Sequence, residues 1–118
     1  MTEETRLGRV EITPTAIASI AGQAVLKCYG VVGFASRAAG AGLLDSFYRD
    51  NFRKGVEINI VSDEIVIDLY VIIEYGTRIS TVAHNIMSNV KFSVEKALGV
   101  PVAQVNVHVQ GLRVSNPD

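Results

Sequence analysis

Two histidines, one cysteine and three carboxylates that fall on one predicted sheet face are the residues here whose types could do chemistry. His84 and His108 lie on different predicted elements. Neither has a cysteine, histidine, aspartate or glutamate at metal-ligand spacing nearby, so both read as surface histidines, with a chance meeting of His108 and Asp68 the one arrangement worth testing. Cys28 falls in the apolar stripe of a helix, and no catalytic cysteine motif surrounds it; it reads as a buried, inert thiol. Glu57, Asp68 and Glu74 share a face. Paired carboxylates perform acid–base chemistry only where burial and proximity shift their protonation, and a solvated antiparallel face accounts for them without any activity. No residue is therefore assigned as catalytic, cofactor-binding or metal-ligating, and no cofactor is expected.

Residues 37–55 hold the best candidate for a binding site. Arg37, Arg49, Arg53 and Lys54 are interleaved with Phe47, Tyr48 and Phe52, and the segment starts glycine-rich at Gly40 and Gly42. Cations beside aromatics suit stacking on single-stranded nucleic acid, docking on an acidic partner, or contact with a membrane surface. The competing reading is that the aromatics plug one end of the core while the charges keep the loop solvated. The glycine pair lacks the Lys-Ser/Thr ending of a nucleotide-binding loop.

The elements that must position these residues follow from periodicity. Ile65, Ile67, Leu69, Val71, Ile73 and Tyr75 alternate with more polar residues and predict a long strand with one buried face. Ile79, Ala83, Ile86, Val90, Val94 and Ala97 then recur at helical spacing, widened by Val82, Met87 and Leu98, with Gly99 and Pro101 to stop the helix. Residues 8–12 alternate as a short first strand. Thr13-Pro14 opens a helix whose stripe is Ile17, Ile20, Ala21, Ala24, Val25 and Cys28, with Gly30 to cap it. Its other side, Ala18, Gly22 and Leu26, is also small or apolar, which predicts packing on the sheet and on a second helix or a partner subunit. Strands are expected at 31–36, at Val56–Ile60 joined to the long strand by a hairpin, and over Gln104–Gln110.

The order is β-α-β-β-β-α-β: an α+β two-layer sandwich, both helices on one face of a mixed, mainly antiparallel sheet of five strands. Residues 1–6 form a flexible tail, 7–112 one domain containing the variable loop 37–55, and 113–118 a C-terminal tail. The other face of the sheet carries Glu57, Asn59, Asp68, Tyr70, Glu74, Asn106, His108 and Gln110.

At 118 residues, 48% hydrophobic and 19% charged, the composition fits one compact globular domain. A net charge of −1 gives no global attraction to nucleic acid or anionic lipid, so any such binding needs a local patch. The single cysteine excludes an internal disulfide, the acidic N-terminus is not a signal peptide, and no run of about 18 apolar residues exists to span a membrane. The chain reads as cytoplasmic.

Four stretches carry a resemblance: Gly30-Val31-Val32-Gly33, Lys54-Gly55-Val56, Glu74-Tyr75-Gly76, and Val105 through Gly111. In their order and spacing they resemble the alkaline shock protein family of Gram-positive bacteria, from Gly8 to Gly111. Lacking a long charged tail, the chain is more similar to the short housekeeping members than to the stress-induced ones. The resemblance implies a protein without catalysis, linked to envelope stress and envelope-lipid homeostasis, that self-associates and docks on a partner either anchored in the membrane or active in fatty-acid metabolism. It also implies membrane association through that partner. Gly30, Gly33, Gly76 and Gly111 are expected at element ends that need a positive φ. The residues expected to meet a partner are Arg37, Phe47, Tyr48, Arg49, Phe52, Arg53 and Lys54 of the loop, with Ala18, Gly22 and Leu26 of the first helix. The alternatives are a nucleic-acid-binding module using loop 37–55 and a small-ligand carrier.

Overall fold

The computed structural model describes residues 2–35 and 55–114. Along the chain run β1 (Thr2–Glu4), β2 (Arg9–Glu11), α1 (Pro14–Leu26), β3 (Val31–Phe34), β4 (Val56–Val61), β5 (Glu64–Glu74), α2 (Ile79–Leu98) and β6 (Val102–Arg113). The class is the α+β sandwich expected from periodicity.

β5 is the axis of the sheet. β6 runs parallel to it from Ile65↔Val102 to Glu74↔Arg113, an arrangement that needs a crossover, which α2 supplies. A strand has only two edges, so β3 and β4 share the other one. Both are antiparallel to β5, β4 opposite Glu64–Leu69 and β3 opposite Val71–Ile73. The Ala35 N–H donates to the Tyr70 carbonyl at 2.9 Å, and Val56 resumes opposite Leu69. β3 and β4 are thus two halves of one lane, which the chain leaves after Ala35 and rejoins at Gly55.

The β4–β5 connection is a two-residue hairpin. Ser62 and Asp63 both have positive φ (51° and 65°), the backbone that matches strand twist in such turns. Ile65, Ile67, Leu69, Val71 and Ile73 are completely buried beneath the helices; each contributes roughly 1.5–3 kcal/mol of hydrophobic stabilisation. Val82, Ile86, Val90 and Val94 of α2, with Ile17, Ala21 and Val25 of α1, close the same core. Thr13 caps α1, its Oγ1 accepting from Ala16 N at 3.2 Å. Gly99 ends α2 in the left-handed region, its N–H donating to the Glu95 carbonyl at 2.8 Å.

Several expectations are corrected. Thr2–Glu4, expected in a flexible tail, pairs with Arg9–Glu11, so the first strand belongs to a separate two-stranded sheet and the main sheet has four strands rather than five. Arg113, placed in a C-terminal tail, is the last residue of β6, because β5 extends far enough to pair with it. Tyr75 lies beyond β5 and is exposed. α1 ends at Leu26 with Lys27 as its C-cap, leaving Gly30 to turn the chain into β3 at φ 91°. Gly76 has the expected positive φ, but Gly33 and Gly111 do not. Both stand opposite Ile72 where the strand register shifts, so their place is at irregularities in the pleat and not at element ends.

Candidate functional site

Both helices lie on the face built from the odd residues of β5, which leaves the even residues on a face that no described element covers. Register places Glu57, Asp68 and Asn106 in one row across β4, β5 and β6, and Tyr70 beside His108 in the next. Asp68 Oδ1 accepts from Asn106 Nδ2 and lies next to His108 Nε2, each at 3.1 Å. A carboxylate oxygen can only accept, so Nε2 carries the proton in this arrangement. The His108 ring stacks on Tyr70 with centroids 4.5 Å apart and an 11° tilt. Further along, Ile72 is flanked by Gly33 and Gly111, where among the described residues no atom lies within 4 Å of the place a side chain would take.

His108 and Asp68 therefore do meet, but in the open: their side chains are 41% and 18% exposed. General acid–base catalysis needs a reactant held against the base and water held away. Among the described residues this network sits on a sheet surface that no element walls in. Among the described residues no polar or charged side chain is buried, and no group of histidine, cysteine, aspartate or glutamate converges as a metal site would. The arrangement fixes donors, acceptors and one aromatic stack in place, which is what recognition requires. Glu57, Asp68 and Glu74 on the same face disfavour a phosphate backbone lying across it.

β6 borders this face. Among the described residues no strand pairs with its outer edge, and Val102–Leu112 contains no Lys, Asp, Glu or Pro. Edges of soluble sheets are commonly protected by just such residues.

The sequence-predicted partner residues divide three ways. Arg37, Phe47, Tyr48, Arg49, Phe52, Arg53 and Lys54 lie outside the described residues. Ala18 and Gly22 are buried within the chain, and of the two alternatives for α1 the second helix is the one seen: α1 packs on the sheet and on α2 of the same chain. Leu26, 51% exposed, is open to contact. Cys28 is buried, its thiol donating to the Ala24 carbonyl at 3.4 Å and accepting from Asn89 Nδ2 at 3.2 Å, as suits an inert thiol. His84 is exposed, with Nδ1 2.7 Å from the Ser80 carbonyl of its own helix. Sequence reasoning put Tyr70 and His108 on one face but missed their stacking; two aromatic rings on the same face of strands joined by one helix was the available signal. A groove of about 420 Å³ lies at the other end of the molecule, between the β1–β2 hairpin and the turn from α2 into β6. It shares no residue with the polar network.

Comparison with known proteins adds a family. Residues 2–114 match the alkaline shock protein 23 family, described as having a cell envelope-related function. The chain is similar to the uncharacterized protein YloU of Bacillus subtilis, 43% identical over 114 residues that cover 96% of this chain and 95% of that one. It is also similar to the uncharacterized protein Spy1614 of Streptococcus pyogenes, 37% identical over 93% of this chain and 92% of the other. The solved structure of a MamM variant aligns with 86% of this chain and 96% of its own at a TM-score of 0.48 and 14% identity, too distant a likeness to inform function.

Proposed function

Because the chain belongs to the alkaline shock protein family, whose function is related to the cell envelope, we propose that it is a non-enzymatic interaction protein of that system, which self-associates and docks on a membrane-anchored or lipid-metabolic partner from the cytoplasmic side. One observation carries this reading: among the described residues β6 pairs on one side only, and it adjoins a sheet face set with paired polar groups. An edge with unpaired N–H and C=O groups is a template for another strand. A second copy of the chain offers an identical template, and two copies joined at β6 would extend both open faces into one surface for a partner. Nothing about the network calls for catalysis, since its groups satisfy one another on a wet surface.

The test is light scattering over a concentration series, paired with crosslinking in cells. The expected outcome is an oligomer whose population rises with concentration. The exposed pair Gln104→Lys/Gln110→Lys should weaken association by roughly tenfold through like charges on the facing edges. A wild-type chain that stays monomeric at the highest concentration rejects self-association, and unchanged association of the lysine variant removes β6 from it.

A further inference from the structure

The end of the sandwich where β5 and β6 finish and β3 begins gathers exposed apolar side chains and cations from three chain corners. The Glu74 N–H donates to the Gly30 carbonyl at 2.8 Å, and the Tyr75 N–H to the Arg113 carbonyl at 2.7 Å, so three chain corners stand side by side. Adjacent strands are about 4.8 Å apart, so the three span roughly 10 Å. The first corner, at the end of α1, carries Leu26, Lys27 and Tyr29, the tyrosine 84% exposed. The second, between β5 and α2, carries Tyr75, 63% exposed, with Arg78 and Ile79. The third, where β6 ends, carries Arg113 and the exposed Val114. Each corner thus offers exposed apolar or aromatic surface beside one cation. Of the acids on the described residues only Glu74 falls among them, giving three positive charges against one negative. Among the described residues, Glu3, Asp63, Glu64 and Glu95 lie toward the opposite end, where Lys96 is the cation beside Glu95. α2 also starts at the basic end with no acidic residue in its first turn, which adds the positive pole of its dipole.

We propose that this end docks peripherally on an anionic lipid surface, the cations against lipid phosphates and the tyrosines and aliphatic side chains at headgroup depth. Tyrosine has an apolar ring and a wet hydroxyl, the amphipathic form enriched at membrane interfaces, and flanking Lys and Arg supply attraction to anionic headgroups. A nucleic acid would be served by cations and rings, but it gives Leu26, Ile79 and Val114 nothing to contact. Gly30 keeps the three corners close: a Cβ there would come within 2.9 Å of Val82 in the first full turn of α2, so the helix start is pressed onto the strand ends. Apart from Arg113, the last residue of β6, the surface shares no residue with the β6 edge, and vesicle binding is read separately from the protein–protein association above.

The experiment is co-sedimentation of the full chain with phosphatidylglycerol/phosphatidylcholine vesicles, with pure phosphatidylcholine vesicles, and with single-stranded RNA in a separate binding titration. The protein should sediment with the anionic vesicles at low salt, be released as salt rises, and stay in solution with the neutral ones. Lys27→Gln/Arg78→Gln/Arg113→Gln should weaken vesicle binding roughly a hundredfold, about fivefold per charge. Tyr29→Ser/Tyr75→Ser should weaken it by about tenfold through lost interfacial area. All five positions are exposed, so thermal melting close to wild type certifies that the variants are folded. The proposal is overturned by a wild-type chain that stays in solution with anionic vesicles at low salt, by folded variants that bind as wild type, by equal binding to neutral vesicles, or by binding to RNA without binding to vesicles.

Discussion

Gly55 shows how much a single missing side chain decides. A Cβ built on it would lie 2.7 Å from the Cβ of Phe34 and 2.9 Å from the Tyr70 carbonyl oxygen. Neither atom is the free end of a flexible chain, so neither yields without moving backbone. Gly55→Ala is expected to cost about 1–3 kcal/mol, the range for overpacking a closed core, and to lower the denaturant midpoint with little change in slope. An unchanged midpoint would mean that the split lane opens at this point without resistance. Residue-scale chemistry was legible in part. The polar character of the Asp68 face follows from alternation alone, and the buried thiol of Cys28 from its place in a helical stripe. The contacts among Asp68, Asn106 and His108 were not legible, because residues 38 and 40 positions apart meet only through strand register. The functions of Gly33 and Gly111 were misread for the same reason: each answers to Ile72 on a neighbouring strand, which local sequence does not reveal.

The elements themselves were the most legible scale, since each carries its own start, period and stop. α2 runs over Ile79–Leu98 as its stripe and Gly99 required. α1 starts where Thr13-Pro14 placed it, and its cap can be tested. Thr13→Ala removes the Oγ1 acceptor of the Ala16 N–H, and a loss of about 1 kcal/mol is expected in equilibrium unfolding. Thr13→Ser, which keeps the hydroxyl, should restore most of it. If the two variants melt alike, the cap hydrogen bond contributes nothing. What periodicity could not supply was the N-terminal hairpin. Alternation marked Arg9–Glu11 as a strand, but Thr2–Glu4 is short, exposed on every residue and without an apolar face, so no buried pattern marks it as its partner. They are joined instead by local bonds around Thr5 and Gly8, including Thr5 N to the Gly8 carbonyl at 2.7 Å.

On the scale of the whole molecule, stability should be graded outward from β5. Its odd side chains are fully buried and both its edges are paired, whereas an isolated two-stranded hairpin is marginal in water. Amide hydrogen exchange is expected to be slowest in Ile67–Val71, approaching the global unfolding free energy, and fastest in β1, β2 and the outward-facing amides of β6. Protection of the outward β6 amides that rises with protein concentration would be the signature of edge-to-edge association. Fast exchange in Ile67–Val71 would contradict the central place of β5 in the core. The family, with its envelope-related function, is likewise a property of the whole chain, matched over residues 2–114 and carried by no single motif.

From the one-dimensional chain came the class, the two helices, the long central strand and the division of the sheet into an apolar and a polar face, because each depends on a period of two or 3.6 residues that is written locally. Tertiary structure alone decided that Ala18 and Gly22 are buried, that β3 and β4 form one lane, that β6 lies beside β5 and, among the described residues, pairs with no other strand, and that Tyr29, Tyr75 and Val114 stand together. Those features depend on which strand lies beside which and in what register, and that is set by crossover and packing between segments tens of residues apart.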